Sequence, residues 1–315
     1  MKTFLTALFL LFVIIETKAQ VGIGTNSPNS SAQLDVSSTS KGFLPPRLTA
    51  AQRDAISNPP AGLMIWCTNC GYSMGELLVF DGISWKTSAD GTPSAPFVCG
   101  TSTVTFLYNG STVTYGTVSG AGGKCWIDRN LGASRVAVSS TDYLAYGDLF
   151  QWGRGVDGHQ TINWTSSTTG SAGAVTSTLS SSASPGHSNF ITVSSSPYNW
   201  INPQNTSLWQ GAAGINNGCP AGWRVPTDAE WEVERASWVS SNAAGALASP
   251  LKLTMSGMRH YVSGGLGLVG SQAYYWSSSL SGAFPSNFMF SSANNSAGAS
   301  TDAAAAGFPV RCIKN

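Results

Sequence analysis

The sequence predicts an α+β fold in two parts. A small β-rich module occupies residues 20–86, a linker 87–97, and a larger domain of short antiparallel strands, one or two helices and long loops occupies 98–315. Three observations lead there. Apolar and polar residues alternate in short runs that end at Gly, Asn-Gly or Asp-Gly, and alternation of period two marks a strand with one buried face. Only Thr49 and Thr227 stand where a helix would start, each with an N-capping hydroxyl. Charged residues make up 10% of the 315 residues and glycine numbers 35, against roughly 25% charge in ordinary soluble domains.

The N-terminal run is that of a secretory signal peptide over Met1–Ala19. Lys2 supplies the positive end, Phe4 to Ile15 the apolar stretch, and Thr17-Lys18-Ala19 the small residues of a cleavage site. A membrane span needs about 20 apolar residues, so this stretch is too short for one, and no later stretch spans a bilayer. The absence of a cysteine just after Ala19 argues against a lipid anchor, and the mature chain is expected to begin near Gln20.

Val21-Gly22-Ile23-Gly24-Thr25-Asn26-Ser27-Pro28, Leu34-Asp35-Val36, Lys41-Gly42-Phe43-Leu44-Pro45-Pro46-Arg47-Leu48-Thr49 and Gln52-Arg53-Asp54-Ala55-Ile56 follow in order. This pattern resembles the tail-fibre-like modules of Bacteroidetes surface proteins. Segments of that kind pair between chains, so the resemblance implies a homotrimer formed through the N-terminal module. Within it, Thr49 caps a short helix to about Ile56, which Pro59-Pro60 ends. Leu63 to Trp66, Glu76 to Phe80 and Ile83 to Lys86 read as strands, the last after an Asp81-Gly82 turn. Gly, Ser, Ala and Pro then make a linker up to Pro96.

The second domain opens on two alternating runs, Val104 to Tyr108 and Val113 to Val118, with Asn109-Gly110 between them as a hairpin turn. Thr161 to Ser196 is rich in Ser and Thr, has neither helical nor strand period, and reads as a long surface excursion. Pro226-Thr227-Asp228-Ala229-Glu230 is a helix start in which Thr227 and Glu230 form a capping box, with Asp228, Glu230 and Glu232 favoured by the helix dipole. Trp231 and Trp238, seven apart, are expected on one face of that helix. Leu251–Met255, Gly257–Val262, Tyr274–Ser279, Asn287–Ser291 and Gly307–Ile313 read as short strands between glycine-rich turns.

Five runs of this domain share an order with a known family: Trp126-Ile127-Asp128-Arg129-Asn130-Leu131-Gly132-Ala133, Ala145 through Arg154, Cys219 through Glu232, Tyr274-Tyr275-Trp276-Ser277-Ser278-Ser279 and Val310-Arg311-Cys312-Ile313. Together they resemble the Fibrobacter succinogenes major paralogous domain, over about Cys99 to Asn315. The layout is also similar to the C-type-lectin-like fold of formylglycine-generating enzymes. The resemblance implies a C-type-lectin-like domain and a bond between Cys219 and Cys312. Cys99 and Cys125 then bracket the hairpin, and Cys67 and Cys70 are left to each other; the six cysteines alone allow 15 pairings.

Little points to catalysis. Trp66-Cys67-Thr68-Asn69-Cys70 has the spacing of a thioredoxin motif, but a reactive thiolate needs a helix N-terminus, and Gly71-Tyr72-Ser73-Met74-Gly75 is poor helix material. His159, His187 and His260 are scattered, no Gly-x-Ser-x-Gly elbow occurs, and Gly264-Gly265-Leu266-Gly267 lacks a phosphate-binding lysine. Asp142, Asp148 and Asp157 read as loop-capping groups, with a structural calcium ion or a carboxylate pair as the alternative; no other cofactor is expected. A formylglycine-generating enzyme would need a free cysteine pair, and the sugar-calcium triplets of C-type lectins are absent.

The chain is therefore expected to be a non-enzymatic, exported protein of the extracellular space or outer cell surface. With a net charge of +1 and no basic stripe, nucleic acid and anionic lipid are excluded as partners. A hydroxyl-rich surface with 11 tryptophans suits an extracellular glycan or surface protein. Trp126, Trp152, Trp223, Trp231 and Trp276 lie in the shared runs and are expected in the core. Trp164, Trp200 and Trp209, with Tyr198, Asn199 and Gln210, are the candidate ligand-binding face, because aromatic faces cover the apolar side of sugar rings. The competing readings are a structural component of a surface fibre or layer, and an enzyme of the formylglycine-generating type.

Overall fold

Strands this short cannot satisfy a large core's backbone by ladders alone, and the architecture follows from how the remaining carbonyls and amides find partners. The computed structural model describes residues 20–70, 75–88, 97–211 and 214–315. The expected signal peptide over Met1–Ala19, most of the linker at 87–97 and the Gly71–Met74 segment lie outside the described residues. The chain divides into two compact units between Arg47 and Leu48. Among the described residues no helix is long and apolar enough to cross a membrane.

In the first unit, strands Val21–Ile23 and Leu34–Val36 pair in parallel, Val21 opposite Leu34 and Ile23 opposite Val36. The Asp35 carboxylate accepts the Asn29 N–H at 2.8 Å, and the Asn29 side chain accepts the Ser31 N–H at 2.9 Å, which shapes the connection. Val21, Ile23, Leu34 and Val36 remain 53, 55, 51 and 42% exposed, and Phe43 and Leu44 65 and 68%. A two-stranded ribbon has too little apolar area to bury itself.

The second unit begins with helix α1, Ala50–Asp54, which is held by a capping box between Thr49 and Gln52. It packs near an antiparallel ladder of Met64–Cys67, Glu76–Phe80 and Trp85–Thr87. Ala50, Ile65, Leu78, Trp85 and the Cys67–Cys70 disulfide form a small cluster of their own. The third strand starts later than Ile83. Asp81 accepts the N–H groups of Ile83 and Ser84 at 2.8 and 2.7 Å, holding both in the turn and leaving Ile83 90% exposed.

From Phe97 onward the unit is an assembly of small sheets. Val104–Tyr108 and Ser111–Tyr115 make a hairpin whose turn residues Asn109 and Gly110 have φ of +48 and +79°, which a type I′ turn requires. One four-stranded sheet joins Thr117–Ser119, Cys125–Ile127, Ile313–Lys314 and Trp223–Arg224; another joins Phe150–Gln151, Gly307–Phe308, Met258–Arg259 and Leu266–Gly267. The longest ladder is Gln272–Ser281, Phe284–Ser291 and Gly298–Thr301. Helix α2, Asp228–Ala236, has the expected Thr227–Glu230 capping box. Helix α3, Ala243–Ala248, is capped by Asn242, whose side chain accepts two backbone N–H groups.

The expected strand Gly307–Ile313 is two short strands in different sheets, Gly307–Phe308 and Ile313–Lys314, and three further local expectations fail, each for a physical reason. Trp238 is not on α2: the Ser237 hydroxyl donates to the Glu234 carbonyl at 2.6 Å and closes the helix, and Trp238 packs edge-on against Phe288 and Phe290 from the following loop. Leu251–Met255 is buried coil. Its five amides donate to Ser249 Oγ, the Ser249 carbonyl, the Ala246 carbonyl, the Tyr275 hydroxyl and the Ser140 carbonyl, a set that no single neighbouring strand could offer. The Thr161–Ser196 excursion is not all surface: Val175–Thr176 pairs with Phe190–Ile191, and Phe190, Ile191 and Val193 are buried.

Buried side chains do the work of missing ladders. Indole N–H groups donate to carbonyls across the core: Trp200 to Trp152, Trp152 to Ser277, Trp231 to Trp276 and Trp276 to Phe150, at 2.7, 2.9, 3.3 and 2.6 Å. Trp231 also stacks on Phe288 with ring centroids 5.2 Å apart. Arg311, fully buried, gives Nε and Nη2 to the Asn130 side-chain oxygen at 3.0 and 2.9 Å and Nη1 to the Leu251 carbonyl at 2.7 Å. Arg259 donates to the carbonyls of Gly264, His159 and Gly173 and lies over the Phe190 ring. Burial lowers both guanidinium pKa values to about 10, so both stay charged at neutral pH.

Candidate functional site

The capped helix start is a rigid electrostatic unit. Arg224 grips Glu230 with two hydrogen bonds of 2.7 and 2.6 Å, and the same carboxylate accepts the Thr227 N–H at 2.9 Å. Burial raises the Glu230 pKa, but Arg224 and Thr227 outweigh it and take it down to about 2. The Asp228 N–H donates to Ser279 Oγ and the Ser278 N–H to the Pro226 carbonyl, tying the start of α2 to the long ladder. Cys219 is bonded to Cys312, and Cys99 to Cys125, which leaves no free cysteine. Three disulfides fit an oxidising compartment.

The residues expected to form one binding face are not gathered into one. Trp200 and Trp209 are 0 and 1% exposed and belong to the core. Trp209 packs 5.9 Å from Trp152 and donates its indole N–H to the Asn216 carbonyl. Neither tryptophan presents a face to a ligand: both lie in the main apolar cluster with Trp152, Leu208 and Phe308, although composition places them in a polar stretch. Asn199 is also buried, its side chain accepting the Ile201 N–H at 3.2 Å. Half-buried Tyr198 packs 5.1 Å from Tyr261, and exposed Gln210 donates to the Ser278 carbonyl at 2.6 Å. Trp164 is half-buried on a different element, the hairpin of Ile162–Trp164 with Gly170–Ala172.

The three aspartates are likewise apart in role. Asp142 takes a two-pronged grip from Arg135 at 3.0 and 2.9 Å. Asp157 accepts from Arg154 at 2.7 Å and from His159 Nδ1 at 2.6 Å. The Gln151 N–H donates to His159 Nε2 at 3.0 Å, so the proton of this neutral imidazole sits on Nδ1. Burial drives the His159 pKa down to about 4. Among the described residues no three His, Cys, Asp or Glu side chains are grouped to hold a metal ion.

Asp148 stands at the base of a surface groove that sequence reasoning missed. It accepts the Tyr108 hydroxyl at 2.8 Å and the Ile162 N–H at 3.1 Å. Burial pushes its carboxyl up to about 6 against these two donors, and burial with the neighbouring Asp148 charge pushes the Tyr108 phenol well up. The groove, about 540 Å³, runs between the 104–115 hairpin, the Arg129–Ser134 segment and Thr161–Asn163. Arg129 lies over the Tyr115 ring at 4.8 Å and binds Asp128 with two bonds of 2.7 and 2.9 Å. A second depression of about 230 Å³ adjoins it across Gly132, Ser134, Ile162 and Asn163 and reaches Tyr143 and Trp164. The sequence signals were Trp164 and Asp148, singled out for different reasons; the other lining residues come from segments too far apart in the chain to be read together.

A family model described as a phage tail like trimerisation region matches residues 22–105. The chain is similar to that region across the N-terminal module and the start of the second domain. No curated protein and no solved structure matches the chain. The similarity points to a structural, fibre-like role for this stretch and fits a homotrimer.

Proposed function

We propose that this protein is a subunit of a homotrimeric fibre-like protein of the outer cell surface, in which residues 20–86 associate three copies and residues 98–315 form a C-type-lectin-like recognition head. The head binds a glycan or another surface ligand and carries out no catalysis. The observation that carries the reading is the row of Val21, Ile23, Leu34 and Val36, each more than two-fifths exposed in a stretch similar to a trimerisation region. Their register, Val21 opposite Leu34 and Ile23 opposite Val36, lines all four on one face of the ribbon, and that apolar face leaves water when further copies of the same ribbon cover it. The non-enzymatic reading is supported by the cysteines: all six are in disulfides, so the thiol pair that a formylglycine-generating enzyme requires is taken up.

The same similarity also favours a second reading, a purely structural component of a fibre or surface layer. Light scattering on the chain from Gln20 onward tests the association. A mass three times that of one chain is expected, and a monomer at micromolar concentration overturns the trimer. A trimer that binds no glycan and no cell surface favours the structural component over the recognition head.

A further inference from the structure

We propose that the groove between the 104–115 hairpin and the Arg129–Ser134 and Thr161–Trp164 segments binds a neutral saccharide chain. The inference rests on the recognition-head reading and names its ligand class and its place. Three independent properties of the groove carry it: its shape, its charge and its lining.

The shape is preformed. The hairpin wall is fixed by the Tyr108 hydroxyl on Asp148 at 2.8 Å and by the Gly132 N–H on the Tyr115 hydroxyl at 3.2 Å. The opposite wall is fixed by the Ile162 N–H on Asp148 at 3.1 Å and by the Trp164 indole N–H on the Gly147 carbonyl at 2.7 Å. Both walls thus hang on the segment that carries Gly147 and Asp148, and a ligand need not order them, which preserves affinity. The larger depression, about 540 Å³, has the size of a small-ligand site. It is an open trough continued by the second depression, a form that admits an internal stretch of a polymer.

The charge is cancelled. Arg129 is the one cation on the lining, and two of its nitrogens are held by Asp128 while Nη1 donates to the Ser134 carbonyl at 3.2 Å. The one carboxylate, Asp148, is 6% exposed and sits behind the Tyr108 hydroxyl. A ligand in the trough meets neither a free cation nor a free anion, so an anionic polymer gains nothing there. What faces it is the chemistry of hydroxyl groups and sugar faces. Asn163 is exposed, and its amide has no hydrogen-bond partner among the described residues. Ser111 and Thr161 line the larger depression, and Tyr143 and Trp164 stand half-buried in the second. The Trp164 ring is set edge-on to Tyr146 at 5.0 Å, a fixed platform rather than a mobile one. An amide that both donates and accepts, beside a rigid aromatic surface, matches the alternating hydroxyl edge and apolar face of a pyranose.

The test uses the full mature chain in isothermal titration against cellohexaose, xylohexaose, mannohexaose, laminarihexaose, chitohexaose and maltohexaose, with heparin and polygalacturonate as anionic probes. Asn163→Arg, at an exposed position, fills the trough without touching the core. Trp164→Ala removes the platform, and Val239→Ser, at a side chain 98% exposed outside the groove, is the control. Expected is binding of at least one neutral hexasaccharide, weakened tenfold or more in Asn163→Arg and Trp164→Ala and unchanged in Val239→Ser, with the thermal midpoint of Asn163→Arg equal to that of the parent. Saccharide binding that Asn163→Arg leaves intact overturns the groove and spares the recognition head. Binding to the anionic probes alone overturns the ligand class. A parent that binds none of the probes and no cell surface overturns both this proposal and the recognition head.

Discussion

The first unit and the domain from Phe97 onward deal with their side chains in opposite ways. In Val21–Val36 the apolar residues stay exposed and the hydrogen bonds are local, such as Asp35 to Asn29 and Asn29 to Ser31. In the larger domain even arginines are buried, and their hydrogen bonds join distant segments, Arg311 to Asn130 across 181 residues and Gln151 to Ala305 across 154. The larger domain is held by links within its own chain, whereas the apolar side chains of Val21–Val36 find no cover within theirs, which is what the proposed association of copies would supply. Long-range links substitute for ladders in a loop-rich domain, because a buried carbonyl without a partner costs about 1–3 kcal/mol.

The largest test of that contrast is to cut a long-range link. The Cys219–Cys312 bond closes a separation of 93 residues, and a loop of that length restricts the unfolded chain by about 4–5 kcal/mol. Cys219→Ser with Cys312→Ser should lower the unfolding free energy by that amount in guanidinium titrations read by tryptophan fluorescence. The Cys67–Cys70 bond, with a separation of 3, should matter much less when removed the same way.

The next effect is about 3 kcal/mol, and two buried groups hide it from each other. His159 has its pKa lowered from 6.5 to about 4. Its contribution is complete above pH 6.5 and is lost as pH falls through 4, because the unfolded chain then binds the proton that the core refuses. Asp148 has its pKa raised from 3.8 to about 6, so its contribution is complete below pH 3.8 and is lost as pH rises through 6. Each is worth about 3 kcal/mol across its window, with opposite sign, and they leave stability between pH 4 and 6.5 nearly flat. Asp148→Asn should unmask a steep loss on acidification, and His159→Gln a gain, in thermal melts taken across that range. A parent and variants with the same pH profile would contradict the buried, neutral imidazole.

Smaller still is the helix cap. Thr227→Ala removes one side-chain acceptor at the start of α2 and should cost about 1 kcal/mol by chemical denaturation, since Glu230 keeps its grip on Arg224. The smallest effect on folding is expected in the first unit. Ile23→Asp should change the unfolding of residues 48–315 by less than about 0.5 kcal/mol while reducing the mass seen by light scattering. A large loss of domain stability in that variant would erase the contrast between the two regions.

Local features were legible because they depend on residues a few positions apart. The Thr227–Glu230 capping box, the Thr49 cap and the Asn109-Gly110 turn all stand where the letters put them. Trp238 was misread because a period of seven says nothing about a Ser237 hydroxyl that closes the helix one residue earlier. The candidate face was misread for a related reason. Trp200 and Trp209 sit among serines and asparagines, and only the fold shows that both indoles are buried nonetheless.

What the sequence by itself determined is the α+β class, the places where strands turn and helices start, and the absence of strong charge, because propensity, capping and composition are properties of neighbours. Only the tertiary structure decided which tryptophans are core, that Arg311 meets Asn130, and that Tyr108, Arg129, Asp148 and Asn163 border one groove. Those outcomes depend on which distant segments share a buried carbonyl or carboxylate. In a domain held together by single side chains rather than long ladders, no period in the sequence records that choice.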